Sequence, residues 1–324
     1  MSEHPEPLGP VPLREIRSAA DRIRRYAVRT PLIRLQTDAL PAKVWLKLEN
    51  LQPIGSFKIR GAANALLQID RERLKAGVYT ASAGNMAQGV GWMARALGVP
   101  FSVIVPDHAP QTKLDAISRL GGAVIPRPFD EWWRVLQEHG DPELEGEFVH
   151  PVSDARVIAG NGTIGLEILE DLPHVDTIVV PFGGGGLSGG IASGVRTLAP
   201  DVRVFAAEVE TAAPLRAAFD AGEPVEVEYT ATFVDGIGSR AVLPEMWPLV
   251  HELLAGSLVV SIEKVAAAIR TLVERNRVIA EGAGAAPVAA AIDGLSGDGH
   301  VVCVVSGGNL DIARLRTILE GHTP

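Results

Sequence analysis

The sequence predicts an α/β fold with two open, mostly parallel, twisted sheets that are flanked by helices. Short β-branched runs alternate with segments whose apolar residues recur at helical spacing along most of the chain. Such alternation favours parallel strands with helices on both faces of each sheet. Because the first half alone supplies several complete strand–helix units, we expect two sheets rather than one.

The predicted strands are short and rich in valine and isoleucine. They comprise residues 78–80, 101–105, 123–125, 177–180, 202–206 and 301–305. After the first of these strands, apolar residues from Met86 to Leu97 follow helical spacing, and Gly98 is suited to end the helix as a C-cap. The same spacing predicts a second helix over residues 114–120.

The composition indicates a globular protein. Of 324 residues, 47% are hydrophobic and 21% are charged, which excludes a disordered or fibrous chain. The 30 basic and 39 acidic residues leave a net charge of −9, so no basic surface for nucleic acid is expected. Cys303 lies inside the apolar run 301–305, where we expect a buried small hydrophobe. A single cysteine fits a reducing cytoplasm.

We expect neither a signal peptide nor a membrane partner. Acidic residues such as Glu3 and Glu6 precede any apolar stretch at the N-terminus. Residues 177–195 carry no charge, but they contain seven glycines and Pro181. A buried strand followed by a glycine loop explains this stretch better than a membrane span does.

A lysine at a predicted helix start is the first candidate for chemistry. In the segment 49–61, Ser56 is a good N-cap and places Lys58 in the first helical turn. The positive end of the helix dipole disfavours an ammonium there, and a lysine of low basicity is what Schiff-base chemistry needs. Taken alone, an ordinary exposed lysine is the commoner interpretation.

Two further polar loops follow predicted strands. Residues 82–86, Ser-Ala-Gly-Asn-Met, open a helix, and a helix N-terminus with nearby Ser and Asn can bind a carboxylate or phosphate. Simple capping of the helix is an equally good interpretation. Residues 306–309, Ser-Gly-Gly-Asn, place a hydroxyl at a strand end, where it could bond a ring nitrogen or a local turn.

A glycine-rich loop over residues 183–190 follows the strand 177–180. Its successive glycines allow backbone N–H groups to close around a phosphate. Gly184, Gly186 and Gly189 also match the dinucleotide spelling G-x-G-x-x-G, with Glu208 about twenty residues later. Four adjacent glycines suit a monophosphate at least as well. A nicotinamide-dependent oxidoreductase therefore stays open on this loop alone.

Taken together, these loops resemble the serine/threonine dehydratase and serine racemase family of pyridoxal-phosphate enzymes, which have fold type II and are similar to the tryptophan synthase β chain. The resemblance runs from about Thr30 to Asn309. The segments that carry it, in family order, are 47–61, 82–85, 150–151, 159–163, 183–190 and 306–309. The first of these is the most specific.

The resemblance implies a role for each loop. Lys58 would be the catalytic Schiff-base lysine, with Phe57 packed against the cofactor ring. Asn85 would bond the phenolic oxygen of the cofactor, and Ser306 would face its pyridine nitrogen. The phosphate would lie against the backbone amides of Gly183, Gly184, Gly185, Gly186 and Leu187. The substrate would bind at Ser82, Ala83, Gly84, Asn85 and Met86.

Three positions depart from the family pattern. Met86 stands where the family has a histidine, which makes the pocket wall more apolar and could admit a larger substrate. Ala83 replaces the serine that protonates the α-carbon in the racemase branch, which disfavours racemisation. Glu208 matches the glutamate of a cation site found in some relatives, but Pro214 replaces its aspartate. Since proline offers no ligand atom, we expect no metal.

The implied function is pyridoxal-phosphate-dependent dehydration and deamination of a small β-hydroxy-α-amino acid to a 2-oxo acid and ammonia. A racemase or a β-replacement enzyme of the same fold is the alternative. The resemblance implies a large cofactor-binding domain over 1–69 and 155–324 and a small substrate-binding domain over 70–154, with the cofactor in the cleft between them. We also expect a cytoplasmic homodimer.

Overall fold

The computed structural model describes residues 5–37, 43–109, 111–294 and 299–324. These residues form two separate sheets. The strands, numbered in chain order, are β1 (Leu32–Arg34), β2 (Lys43–Leu48), β3 (Val78–Ala81), β4 (Phe101–Pro106), β5 (Ala123–Arg127), β6 (Glu147–Phe148), β7 (Thr177–Pro181), β8 (Arg203–Val209), β9 (Gly256–Val260) and β10 (His300–Val305).

The larger sheet has six strands in the order β1-β2-β10-β7-β8-β9, and the smaller has four in the order β5-β4-β3-β6. The pair β1–β2 is antiparallel, and all other pairs are parallel. The α/β class with two mostly parallel sheets is therefore confirmed. Parallel strands require crossover connections, and helices supply these along the chain.

The helices are α1 (Leu13–Ile23), α2 (Lys58–Leu66), α3 (Arg71–Leu74), α4 (Asn85–Leu97), α5 (Gln111–Arg119), α6 (Phe129–Gln137), α7 (Ala155–Asp171), α8 (Gly186–Leu198), α9 (Pro214–Ala221), α10 (Trp247–Leu253), α11 (Ile262–Thr271), α12 (Gly282–Gly294) and α13 (Ile312–Leu319). Among the described residues, no helix is both long and apolar enough to span a membrane.

Side-chain alternation along the central strands fills a core on each face of the larger sheet. In β10, Val302 and Val304 pack with α1, α7, α8 and α10, whereas Cys303 and Val305 pack with α11, α12 and α13. Cys303 is fully buried, as expected, and burial raises the pKa of its thiol. The smaller sheet is covered in the same way, by α2, α4 and α5 on one face and by α6 on the other.

All six strands predicted from the sequence are present, and so are α4 and α5. Gly98 ends α4 with φ of +70°, a left-handed conformation that glycine adopts without strain. The capping prediction for Ser56 is wrong. Helix α2 begins at Lys58 with Phe57 as the preceding residue, and the buried hydroxyl of Ser56 has no hydrogen-bond partner among the described residues.

A buried ion network joins β2, α2 and α7. The guanidinium of Arg60 donates to both oxygens of Glu49 at 2.8 Å and to Glu167 at 2.7 and 2.9 Å. Lys47 Nζ donates to Glu167 at 2.6 Å and to the Thr30 carbonyl at 2.7 Å. Although burial opposes the charged form, Arg60 and these hydrogen bonds hold the pKa of Glu49 below its ordinary value. Every acidic and basic side chain of the network therefore has a partner of the opposite kind.

Replacement of Arg60 by methionine is expected to destabilise the protein strongly, by about 3–5 kcal/mol, because it leaves Glu49 buried without its guanidinium partner and Glu167 with Lys47 alone. The matched control is Arg73→Met, since Arg73 pairs with Glu147 but keeps 65% of its side chain exposed. That change should cost under about 1 kcal/mol. Urea unfolding of both variants measures the difference. Equal losses would mean that the Arg60 network stabilises the fold no more than a surface pair does.

Candidate active site

A cavity of about 520 Å³ lies between the two sheets. It is bounded at one side by the C-terminal ends of β3, β7 and β10, where ligands of open parallel sheets bind. The residues predicted to form the site line this single cavity. They are Phe57, Lys58, Ser82, Ala83, Gly84, Asn85, Met86, Gly183, Gly184, Gly185, Gly186, Leu187 and Ser306.

Lys58 is the first residue of α2 and points into the cavity. Its Nζ donates a hydrogen bond to the carbonyl of Pro151 at 2.7 Å and lies 5.3 Å from the centroid of the Phe57 ring. Burial lowers the pKa of Lys58 to about 8, while the charge of Glu281 acts in the opposite direction. At pH 7 about a tenth of this amine is therefore neutral and available as a nucleophile or base, far more than for a lysine of ordinary pKa.

His150 fixes the position of the Pro151 carbonyl, which accepts the hydrogen bond from Lys58. Burial, together with the neighbouring His139, lowers the pKa of His150 to about 3, so its ring is neutral. One ring nitrogen lies 3.1 Å from the Leu136 carbonyl, and the other accepts from the backbone N–H groups of Val152 and Ser153 at 3.0 and 2.7 Å. The ring thus fixes the turn around Pro151. Because both nitrogens are occupied, His150 is not a free metal ligand, although His139 and Glu245 lie close to it.

The glycine loop ends where α8 begins, so the first amides of α8 point at the cavity without intrahelical acceptors. Gly185 has φ of +92°, which favours glycine. A Cβ atom on Gly184 would approach Val152 to 2.6 Å, so the loop packs closely on the His150–Val152 turn. At Gly183, by contrast, the nearest atom to an added Cβ is 3.5 Å away.

The loop at residues 82–86 forms the opposite wall. Helix α4 starts at Asn85, and the Gly84 amide donates to the Ser82 hydroxyl at 3.3 Å. Asn85 is held by two neighbours, since its amide N–H group donates to Glu281 at 2.8 Å and its oxygen accepts from Asn309 at 2.8 Å. The Met86 side chain is 1% exposed. It presents an apolar surface in the first turn of α4.

Glu281 is a site residue that the sequence reasoning missed. It lies immediately before α12 and reaches the Asn85 amide across the cavity. Burial raises the pKa of Glu281 to about 7, and the charge of Asp235 acts in the same direction. A signal was present in the sequence, because Glu281 is the one charged residue between Val278 and Ile292. It is also the negative group that opposes the lowered pKa of Lys58.

Ser306 completes the cavity from the end of β10. Its side chain is 2% exposed, and its carbonyl accepts from the Phe57 amide at 2.9 Å, which ties the end of β10 to the residue before Lys58. The groups at the site therefore include a lysine of lowered pKa, helix-start amides, a neutral hydroxyl and an asparagine. The amine can react with an aldehyde and the amides can bind a phosphate. The hydroxyl can bond a ring nitrogen and the asparagine a phenolic oxygen, so the residues present fit pyridoxal phosphate.

Comparison with known proteins likewise identifies a pyridoxal-phosphate enzyme. The chain belongs to the family described as "Pyridoxal-phosphate dependent enzyme", whose model matches residues 23–307. Its cofactor is accordingly pyridoxal phosphate. The chain is similar to the L-threonine ammonia-lyase of Geobacter sulfurreducens, with 40% identity over 316 residues that cover 96% of this chain and 78% of that protein. It is 37% identical over 320 residues to the catabolic L-threonine dehydratase TdcB of Staphylococcus aureus, covering 96% and 92%.

Solved structures agree with this assignment. Maize serine racemase has a TM-score of 0.88 at 32% identity, covering 96% of this chain and 98% of that chain. The processed form of threonine deaminase isoform 2 from Solanum lycopersicum has a TM-score of 0.85 at 30% identity, covering 98% and 97%. The resemblance to the dehydratase and racemase group of fold type II is confirmed.

Glu208 does not support the dinucleotide interpretation. Its oxygens accept from the amides of Leu215 and Arg216 at 2.9 Å and from the Ser257 hydroxyl at 2.5 Å. The carboxylate therefore caps the start of α9, which Pro214 opens as the first helical residue. Together with the family match, this rules out the nicotinamide oxidoreductase as an interpretation of the glycine loop.

The low pKa of Lys58 can be measured directly in the cofactor-free protein. Competitive labelling with acetic anhydride, followed by mass spectrometry, should give a midpoint near pH 8 for the Lys58 peptide. Exposed Lys75 supplies a reference in the same digest. In Glu281→Gln the midpoint should fall further, because the carboxylate that favours the ammonium is gone. A Lys58 midpoint at the ordinary lysine value of about 10.4 would contradict this account.

Proposed function

We propose that the chain catalyses dehydration and deamination of a β-hydroxy-α-amino acid to a 2-oxo acid and ammonia. The observation that carries the proposal is the lysine of lowered pKa at the start of α2, enclosed in one cavity with the glycine loop and Ser306. Two similar proteins are named for ammonia loss from, or dehydration of, L-threonine. L-Threonine is therefore the reference substrate. When bound, pyridoxal phosphate supplies an electron sink for the α-carbon.

The roles of the residues that would hold the cofactor are part of the proposal. Lys58 binds its aldehyde, and Phe57 packs against its ring. The amides of Gly183, Gly184, Gly185, Gly186 and Leu187 bind its phosphate. Asn85 donates to its phenolic oxygen, and Ser306 bonds its ring nitrogen. Since Ser306 is neutral, it does not stabilise a protonated ring as a carboxylate would. A weaker electron sink favours prompt loss of the β-substituent over a long-lived carbanion.

The remaining steps follow from the positions of Lys58 and the loop at residues 82–86. The amides and hydroxyl of that loop bind the substrate carboxylate. The neutral amine of Lys58 removes the α-proton, and its lowered pKa keeps it a competent base near neutral pH. The β-hydroxyl then leaves as water. Hydrolysis of the resulting enamine gives the 2-oxo acid and ammonia.

A racemase is the second candidate, because maize serine racemase is similar to this chain over nearly its whole length. Ala83 argues against racemisation. Inverting the α-carbon requires a proton donor on the face opposite Lys58, and the alanine methyl group carries no exchangeable proton. We therefore propose that elimination greatly exceeds racemisation.

The assembly and location of the protein also remain proposals. We propose a division into a large domain over 1–69 and 155–324 and a small one over 70–154. The four strands of the smaller sheet lie between Val78 and Phe148, which supports this division. We further propose a cytoplasmic homodimer, for which the buried free Cys303 and exposed apolar side chains such as Ile312 are the supporting observations. We propose no metal at Glu208, because amides and a hydroxyl occupy its oxygens.

The phosphate-binding role of the glycine loop can be tested at Gly183, where an added side chain meets no close atom. Gly183→Asp places a carboxylate beside the phosphate, whereas Gly183→Asn is the uncharged control of similar shape. Like-charge repulsion should weaken cofactor binding at least about tenfold in the aspartate variant relative to the asparagine variant. Equilibrium dialysis with pyridoxal phosphate measures both. Equal affinities would mean that the cofactor phosphate does not bind at this loop.

The proposed reaction is tested by assaying 2-oxo acid release from L-threonine and L-serine. Lys58→Ala should abolish release, by a factor of about 10³ or more, with the thermal unfolding transition retained. The same reactions are analysed for D-amino acids by chiral chromatography. Interconversion of L- and D-serine at a rate matching pyruvate release would favour the racemase. Undiminished turnover in Lys58→Ala would overturn the assignment of the lysine.

A further inference from the structure

One face of α6 lines the cavity along its length. The apolar lining residues are Phe129, Trp132, Trp133 and Leu136, at positions i, i+3, i+4 and i+7 of the helix, and the exposed Asp130 also lines the cavity. Residues at the i, i+3, i+4 and i+7 spacing share one side of an α-helix. With a rise of about 1.5 Å per residue, these four form a continuous apolar wall about 10 Å long, called here the aromatic wall after its three aromatic members.

The inner end of this wall joins the turn that holds Lys58. His150 Nε2 lies 3.1 Å from the carbonyl of Leu136, and the next residue, Pro151, accepts the hydrogen bond from Lys58. Trp133 and Val152 pack against the same core cluster. The inner end of the aromatic wall is therefore bonded to His150, the residue before the one whose carbonyl accepts the hydrogen bond from Lys58.

The rings along the wall are in contact with one another and are only partly covered by protein. Phe129 and Trp132 have ring centroids 5.5 Å apart, and those of Trp132 and Trp133 are 6.2 Å apart. All three side chains are of intermediate exposure, whereas Val135 and Leu136 on the same helix are buried. Because the Arg240 guanidinium lies over the Phe129 ring, Trp132 and Trp133 supply the aromatic surface suited to a flat apolar group in the cavity.

The cations near the wall already have partners. Lys113 Nζ lies 3.1 Å from Asp235, and the Arg240 guanidinium lies over the Phe129 ring at 5.2 Å. An anionic substrate side chain would have to compete with these contacts. Met86 adds another apolar surface to the same cavity. Together these features favour an uncharged, apolar side chain on the substrate.

We propose that this aromatic wall is a subsite for an aryl group on the β-carbon, so that the preferred substrates are 3-aryl-β-hydroxy-α-amino acids. The proposal rests on the proposed function. For 3-phenylserine, the α C–H bond breaks with its proton passing to Lys58, and the β C–O bond breaks with loss of water. Hydrolysis of the enamine consumes one water and releases ammonia. The net products are phenylpyruvate and ammonia.

The first test compares kcat/KM of the holoenzyme for L-threo-3-phenylserine and for L-threonine. We expect the ratio to favour phenylserine at least about tenfold, since one well-packed apolar group commonly discriminates by that much. Trp133→Ala should lower the ratio about tenfold. Trp247→Ala is the matched control, because Trp247 packs on Phe219 and His251 outside the cavity, and it should leave the ratio unchanged.

The second test measures binding without turnover. L-Phenylalanine and L-2-aminobutyrate lack the β-hydroxyl and therefore imitate the two substrates without losing water. Isothermal titration of the holoenzyme should show at least about tenfold tighter binding of phenylalanine. Trp133→Ala should abolish that preference, and Phe129→Ala serves if the Trp133 variant does not fold.

The outcomes separate the subsite from the reaction. If neither hydroxy amino acid yields a 2-oxo acid, the proposed function fails, and the binding preference still decides the subsite. If threonine is turned over while phenylalanine binds no better than aminobutyrate, the subsite is overturned and the proposed function stands. A preference for phenylalanine that survives in both cavity variants would also overturn the aromatic wall as its cause.

Discussion

The geometry of the site depends on one buried interaction, the bidentate contact of Arg60 with Glu49. Arg60 lies two residues after Lys58 on α2, and Glu49 directly follows β2. A planar guanidinium held by a carboxylate in the protein interior fixes both position and orientation, which a single charge–charge contact does not. Through Glu167 the same group is bonded to α7. The start of α2, and with it the lysine, is thereby set relative to the larger sheet before any ligand is present.

Around Lys58, by contrast, charge is scarce. Its amine contacts a carbonyl oxygen, and the nearby His150 is held neutral by burial. Ser306 contributes a neutral hydroxyl, and Glu281 has its pKa raised to about 7. Burial disfavours the ammonium, and the charge of Glu281 only partly offsets this effect, so the pKa of the lysine stays below its ordinary value. The fold thus keeps the buried Arg60 network outside the cavity, while charged residues that line the cavity, such as Lys113 and Asp235, pair with each other.

The sequence predicted the central strands and the loops that line the cavity because their signals are local. Runs such as residues 177–180 and 301–305 are uniformly apolar, and loops that bind phosphate contain consecutive glycines. Four strands were missed. The strands β1, β6 and β9 lie at sheet edges, are five residues long or shorter and are partly exposed, so they show no such run. The strand β2 lies inside the larger sheet, but Lys43 precedes and Lys47 interrupts its apolar residues. Glu281 escaped because its partner Asn85 is distant in the chain and no local motif joins them. The aromatic wall escaped for a related reason, since apolar residues at helical spacing indicate a packed face and do not say what packs on it.

Two of the three departures from the family pattern, Ala83 and Met86, fall on one side of the cavity, whereas Pro214 lies outside it. Ala83 and Met86 lie in the loop after β3, and the aromatic wall belongs to α6, which covers a face of the same smaller sheet. The lysine, the glycine loop and Ser306 come from segments attached to the larger sheet. Both sheets therefore contribute groups to the cavity, since Asn85 also lies on the smaller one. Helix α2, which carries Lys58, packs with α4 in the core of the smaller sheet, while Arg60 bonds the same helix to Glu49 and to α7. Lys58 is therefore positioned by both sheets, and substitutions in the core that α2 shares with α4 are expected to couple to its position.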